Sequence, residues 1–162
     1  MLYFKIMNDC VFGKFEIGEE TAISHLIKTV FDEFAAPDYS PAGNTFFHAY
    51  IEPDRLLERF SNGDVLLTAK TNNRIIGMIE VSDQNHICLL FVDKAWHGKG
   101  IAKRLVARAI ATSREKDTEL KYFEVNSSPY AERIYARMGF TKTADIQDVN
   151  GLKFIPMKME LP

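Results

Sequence analysis

Residues 86–116, HICLLFVDKAWHGKGIAKRLVARAIATSREK, read as strand, turn and helix. His86 to Val92 is a short, almost wholly apolar run, the pattern of a strand buried on both faces of a sheet. Asp93 to Ala95 turn the chain. Trp96, His97, Gly98, Lys99 and Gly100 then lead into a helix whose apolar residues fall at Ile101, Ala102, Leu105, Val106, Ala109 and Ile110. The first turn of a helix carries N–H groups without intrahelical partners and the positive end of the dipole, so an anion can sit there. Gly98 and Gly100 remove side chains that would block a close approach, and Lys99 and Lys103 add positive charge. A phosphate or pyrophosphate suits such a loop. So does a plain tight turn, and the loop alone does not separate the two.

Three phosphate-binding motifs are conceivable. A Walker loop needs Gly-Lys followed by Ser or Thr, which Gly98-Lys99-Gly100 does not supply. A dinucleotide fingerprint puts its first Gly directly after the strand and its third three residues past the second; here Asp93 to His97 intervene and the third position is Lys103. Glu124, at the end of the next strand, is the one feature in its favour. The third candidate fits best: His97 to Ala102 resembles the Gln/Arg-x-x-Gly-x-Gly/Ala motif of the GNAT N-acetyltransferases, which bind acetyl-coenzyme A. Gly100 and Ala102 match it, whereas His97 stands where the family has Gln or Arg. The resemblance continues through Leu89 to Asp93, through VNSSPYAERIYARMGF (Val125 to Phe140) and through LKFIPMKMEL (Leu152 to Leu161), about the second half of the chain.

The resemblance implies an α/β GNAT fold in one domain, residues 1–162: a mixed, mostly antiparallel sheet with one central parallel strand pair and helices on both faces. It implies acetyl transfer from acetyl-coenzyme A directly to a primary amine of a small molecule or peptide, without a metal. The backbone of Leu90, Phe91 and Val92 would hold the pantetheine arm and polarise the acetyl carbonyl. The loop of His97, Gly98, Lys99, Gly100, Ile101 and Ala102 would take the pyrophosphate. Asn126 and Ser128 look like further coenzyme contacts, Ser128 alternatively capping a helix. Tyr135 stands where the family has its acid tyrosine, and without the resemblance reads as a core residue. Tyr39, Phe46, Phe47 and Tyr50, in the aromatic region before the second strand, are candidate walls of the acceptor site or ordinary packing aromatics.

Composition agrees with one ordinary domain: 162 residues, 46% hydrophobic and 26% charged. A net charge of −2 argues against a nucleic-acid surface. No apolar run is long enough to span a bilayer. The N-terminal MLYFKIMNDC lacks the regions of a signal peptide, so the cytoplasm is the expected location, where Cys10 and Cys88 would be reduced thiols. A homodimer is one option the fold leaves open.

Taken in order, Leu2 to Asn8 read as a strand, and from Thr21 apolar pairs recur every four residues to Ala35, a helix stopped before Pro37. Val65 to Lys70 and Ile75 to Val81 form strands around Asn72-Asn73. Leu120 to Val125 is a further strand, parallel to that at 86–92 through a right-handed crossover. Ser128 and Pro129 suit a helix start and Gly139 its end. Phe140 to Val149 and Leu152 to Glu160 read as a hairpin through Asn150-Gly151.

Acetyl transfer to an amine needs oxyanion donors, an acid for the thiolate and a base for an ammonium whose reference pKa is about 10.4. His86 and Glu80 are the candidate bases. Cys88 inside an apolar strand is more simply inert than acyl-carrying, and His86 with Cys88 lacks the further ligands of a metal site. Two rivals remain: a GNAT-like sensor or scaffold that binds coenzyme A without turnover, and a nucleotide-binding oxidoreductase, which the loop spacing disfavours.

Overall fold

The computed structural model describes residues 9–162; the strand expected at Leu2–Asn8 lies outside them. Helix α1 (Glu20–Phe34) buries Ile23, Leu26, Ile27, Val30 and Phe31, the i, i+3, i+4, i+7, i+8 stripe of a helix with one face on a core. It stops before Pro37, and a 3₁₀ turn spans Ala36–Asp38. The aromatic region that follows holds two short helices, α2 (Pro41–Tyr50) and α3 (Pro53–Ser61). Pro opens each one, where its missing N–H costs nothing. Ser40 caps α2, its Oγ accepting from the Gly43 N–H at 3.0 Å.

Strand β1 (Val11–Lys14) lies at the sheet edge beside β2 (Val65–Thr71), which turns into β3 (Arg74–Ser82) through Asn72 and Asn73. Both asparagines have positive φ, 47° and 60°, as a type I′ hairpin requires. Then come β4 (His86–Val92), helix α4 (Ile101–Lys116), β5 (Tyr122–Ser127), helix α5 (Glu132–Met138), β6 (Thr141–Lys142), β7 (Gln147–Val149) and β8 (Leu152–Glu160). The strand order is β1-β2-β3-β4-β5-β8-β6, with β7 also on β8. Among the described residues β4 and β5 are the one parallel pair, all others being antiparallel. This is the mixed sheet expected.

Helices cover both faces. On one, Ile101, Leu105, Val106 and Ala109 of α4 pack with Ile79, Ile87, Phe123 and Tyr135. On the other, Ile23, Ile27 and Val30 of α1 and Leu56 of α3 pack on Leu66, Met78 and Leu89. Gly77 lets α4 lie close to β3: a Cβ there would stand 3.1 Å from Ile101 Cγ2 and 3.2 Å from Leu105 Cδ1. No helix of the described residues is long and apolar enough to cross a membrane.

Two expectations need correction. The strand read from Phe140 to Val149 is broken into β6 and β7: Lys142 stands opposite Met157 and Gln147 opposite Phe154, so residues 143–146 face only 155 and 156. Pro156 is the cause, since it accepts from the Thr143 N–H at 2.9 Å but has no N–H to return. Likewise α5 begins at Glu132, not at Pro129, and Ser128 Oγ accepts from the Ala131 N–H at 3.2 Å to cap the turn that leads into it.

The β7–β8 turn docks on the start of α2. The Gly151 carbonyl accepts from the Ser40 N–H at 3.2 Å, and a Cβ on Gly43 would fall on the Gly151 carbonyl. Gly43→Ala is therefore expected to destabilise the fold by about 1–3 kcal/mol, the range for overpacking a tight contact, as read from urea unfolding. The exposed Gly13, whose Cβ would meet nothing within 4 Å, is the control: Gly13→Ala should cost far less.

Candidate active site

Strands β4 and β5 are in register at two positions only, His86 opposite Glu124 and Ile87 opposite Val125. Beyond Ile87 they part, while each keeps its antiparallel neighbour: Val92 pairs with Gly77 on one side, and Ser127 with Ile155 on the other. Between them opens a cavity of about 560 Å³. Backbone groups of β4 that face this gap have no ladder partner, so a ligand or water must satisfy them.

The loop after β4 closes one end of the cavity. Gly98 and Gly100 have φ of +72° and +78°, a left-handed conformation that L side chains seldom adopt, and nothing lies within 4 Å of where their Cβ atoms would be. Gly100 is the N-cap of α4, so the helix's first N–H groups open onto this loop. Lys103 lines the cavity beside it. An anion has room here, and the cradle fits a pyrophosphate. Lys99 turns away: its Nζ donates to the Ala95 carbonyl at 2.9 Å and lies 4.8 Å from the centre of the Trp96 ring.

His97 has a defined role of its own. Its Nε2 lies 2.7 Å from the Val92 carbonyl, and its ring sits 5.1 Å from that of Phe34, which in turn is 5.0 Å from Tyr130. The imidazole thus ties the loop to the end of β4 and engages the Val92 carbonyl. The Asp93 N–H bonds the Ile76 carbonyl of β3 at 2.8 Å, so by strand alternation Phe91 turns its backbone to Met78, and Leu90 and the Val92 N–H are the backbone groups that face the gap.

Of the other residues singled out from sequence, the cavity brings together Leu90, Phe91, Val92, His97, Gly98, Gly100, Ile101, Ala102, Asn126, Ser128, Tyr135, Tyr39 and Phe47. It does not include Phe46, which is 51% exposed on the outer side of α2, nor Tyr50, His86 or Glu80. Sequence reasoning missed Phe31 and Phe34 of α1, both in the lining. Their helical spacing reads as core, and they do stand at its edge: Phe31 stacks on Phe47 with ring centres 3.8 Å apart.

Tyr135 is 6% exposed, its ring against Phe140 and its side chain in the cavity wall. Burial, with the Tyr39 phenol nearby, pushes its pKa well above the ordinary phenol range, so the hydroxyl keeps its proton at neutral pH. Tyr39 is pushed up to about 12 by burial and by Asp38, with Ser128 pulling the other way.

His86 stands where β4 and β5 are still paired, its Nδ1 3.4 Å from Glu124 Oε1. Glu80 has no exposed surface and meets Arg59 through two bonds, Nε to Oε1 at 2.5 Å and an Nη to Oε2 at 3.1 Å. Arg59 also donates to the Tyr50 carbonyl at 2.9 Å and lies over the Tyr50 ring. Burial pushes the Glu80 carboxyl above the usual carboxylate range, and Arg59 opposes that push. Asp64, Glu80 and Cys88 offer donor atoms within 4.8 Å of one another, but the cation already beside them is Arg59. Cys88 donates to Ser82 Oγ at 3.2 Å, and burial raises its pKa, which keeps it a thiol.

Residues 35–161 match the family model described as an acetyltransferase (GNAT) domain. The chain belongs to the GNAT family. Solved GNAT structures share its fold at low identity: a GCN5-related N-acetyltransferase of Rhodopseudomonas palustris at 17% identity, TM-score 0.80, covering 93% of this chain and 95% of that one; and the PaiA N-acetyltransferase of Thermoplasma acidophilum in complex with coenzyme A at 19%, TM-score 0.74, covering 94% and 99%. The spermidine N-acetyltransferase of Vibrio cholerae, solved with coenzyme A and spermine, matches at 17%, TM-score 0.66, covering 94% and 96%. A UPF0039 protein of Schizosaccharomyces pombe is 30% identical over 70 residues, 43% of this chain and 47% of that protein. The match thus spans about half the length of that curated relative.

The Glu80–Arg59 pair of this GNAT domain makes its stability pH-dependent when broken. With Arg59 gone, nothing opposes the upward push on Glu80; a carboxyl raised above its unfolded pKa contributes stability below that value and loses it as pH rises. Arg59→Met should cost about 3 kcal/mol at pH 8, the low end for a broken buried pair, because the Arg59 side chain is 20% exposed. The deficit against wild type should shrink on acidification through pH ~5 towards the reference Glu pKa of about 4.3, as measured by urea unfolding across that window.

Proposed function

We propose that this chain is an N-acetyltransferase that moves the acetyl group of acetyl-coenzyme A directly to a primary amine. The observation that carries the reading is the parting of β4 from β5 over a cavity that ends on the Gly98–Gly100 loop. Family membership and the coenzyme A complexes of similarly folded acetyltransferases support it. Acetyl-coenzyme A, when bound, supplies the activated acyl carbon and a thiolate leaving group.

The chain's own residues do the rest. The loop N–H groups at Gly98 to Ala102, at the start of α4, bind and neutralise the pyrophosphate, with Lys103 nearby. The backbone of Leu90 and the Val92 N–H orient the thioester and offer an N–H to the charge that develops on its carbonyl oxygen. Asn126 and Ser128, on the β5 side, hold the arm from across the gap. Tyr135, which its burial keeps protonated, hands its proton to the sulfur as the C–S bond breaks, and the phenolate it leaves recovers a proton as the acceptor's ammonium gives one up.

For the base, Glu80 is better placed than His86. Cys88 lines the cavity and has its Sγ within 4.8 Å of carboxylate oxygens of Glu80 and Asp64, so a water relay from the amine to this carboxylate pair would pass Cys88. His86 is at the paired end of β4. One observation favours the second reading, a coenzyme A-binding module without turnover: no carboxylate among the described residues lines the cavity, and the one imidazole that does is engaged by Val92.

Calorimetric titration with acetyl-coenzyme A should show micromolar binding that Gly100→Glu abolishes, since the added carboxylate meets the pyrophosphate. Tyr135→Phe should retain that binding and lower kcat by about 100-fold or more, the contribution of a positioned general acid. Binding without turnover across a broad panel of amines would favour the module; absence of binding would defeat both readings.

A further inference from the structure

The aromatic wall of the cavity has a composition that selects its guest. α1 supplies Phe31 and Phe34, the turn after it Tyr39 and α2 Phe47, with Phe91 of β4 beside them. The rings form one continuous surface: Phe31 lies 3.8 Å from Phe47 and 5.6 Å from Tyr39, and Phe47 lies 6.0 Å from Phe91. Among the described residues no Asp or Glu lines the cavity; its cations are Lys103 and Arg137.

Most carboxylates around this wall are committed elsewhere, and Asp64 lies with Glu80 behind Cys88, outside the lining. Asp32 bonds Lys28 at 2.9 Å and His48 at 2.6 Å, Glu33 pairs with Lys94, and Glu80 pairs with Arg59. Asp38 is exposed and outside the lining. Some nearby ring faces are already occupied: Arg59 lies 3.8 Å over Tyr50, Lys94 lies 5.8 Å from Phe34, and Phe31 and Phe47 cover one face of each other. An ammonium entering this wall would lose its water and gain no carboxylate from the lining. The reacting amine escapes that cost because it gives up its proton. A second, unreacting ammonium does not.

Resting on the acetyl-transfer reading above, we infer that the acceptor is a primary monoamine with an apolar, ring-sized body, and that polyamines are poor acceptors. The body fills the aromatic wall and buries surface that a polyamine would leave charged.

The test measures coenzyme A release by the full-length protein at saturating acetyl-coenzyme A, with 2-phenylethylamine and spermidine as probes. The expected kcat/KM is about tenfold or more in favour of 2-phenylethylamine, as a desolvated site discriminates against a group it leaves unpaired. Phe47→Glu should cut that ratio by about tenfold, and Phe34→Glu serves if the first variant does not fold. Calorimetric binding of acetyl-coenzyme A separates the two readings. Protein that binds it yet uses spermidine as well as or better than 2-phenylethylamine, or turns over neither, overturns the acceptor class alone. Protein that does not bind it overturns the transfer reading, and the acceptor class with it.

Discussion

Two residue pairs of parallel ladder hold the middle of this sheet together, and the structure depends on their being no more than two. His86 and Ile87 meet Glu124 and Val125, after which β4 follows β3 and β5 follows β8. A β-bulge opposite Glu80 and Val81 puts an extra residue, Cys88, on β4 itself and bends that strand where it begins to leave β5. The cost is a row of unpaired main-chain groups in the centre of a sheet, where such groups are normally satisfied. What the fold gains is a slot with strand backbone on one wall, α1 and α2 at one side and the N-terminus of α4 at its end.

The rest of the site follows from keeping that slot open. His97 fastens the loop to the last residue of β4 with an imidazole where the family pattern has Gln or Arg. A ring with two nitrogens can make such a backbone tie and still present a face to Phe34. The departure in sequence therefore changes how the loop is held while leaving the glycine geometry in place. Behind the slot, Arg59 and Glu80 join α3 to β3 through a buried fork, satisfying the carboxylate that β3 places in the core.

Local signals in the sequence were read well where one residue type answers one backbone need. Asn72-Asn73 and Asn150-Gly151 mark hairpin turns with positive φ, and Gly100 marks the left-handed start of α4. The glycine-loop signature falls at the end of the cavity between β4 and β5. Facing was harder. Phe46 and Phe47 are neighbours in sequence, yet a helix turns each residue by about 100°, so one reaches the cavity and the other solvent. Phe31 and Phe34 carry the same spacing as the core residues before them, and only the tertiary arrangement shows that the core ends there. Glu80 and Arg59 lie too far apart along the chain for any pattern to join them. Pro156, whose effect falls on residues 143–146 through a neighbouring strand, is legible only once the pairing is known.

The contact between the Asn150-Gly151 turn and the start of α2 couples parts of the chain that are more than a hundred residues apart in sequence. Gly43 and Gly151 fit only as a pair without side chains, and Phe47 sits one turn further along the same helix. Recombining this region with that of another member of the family would therefore have to exchange the helix and the distant hairpin tip as one unit, since either alone brings a side chain into the space the other has closed.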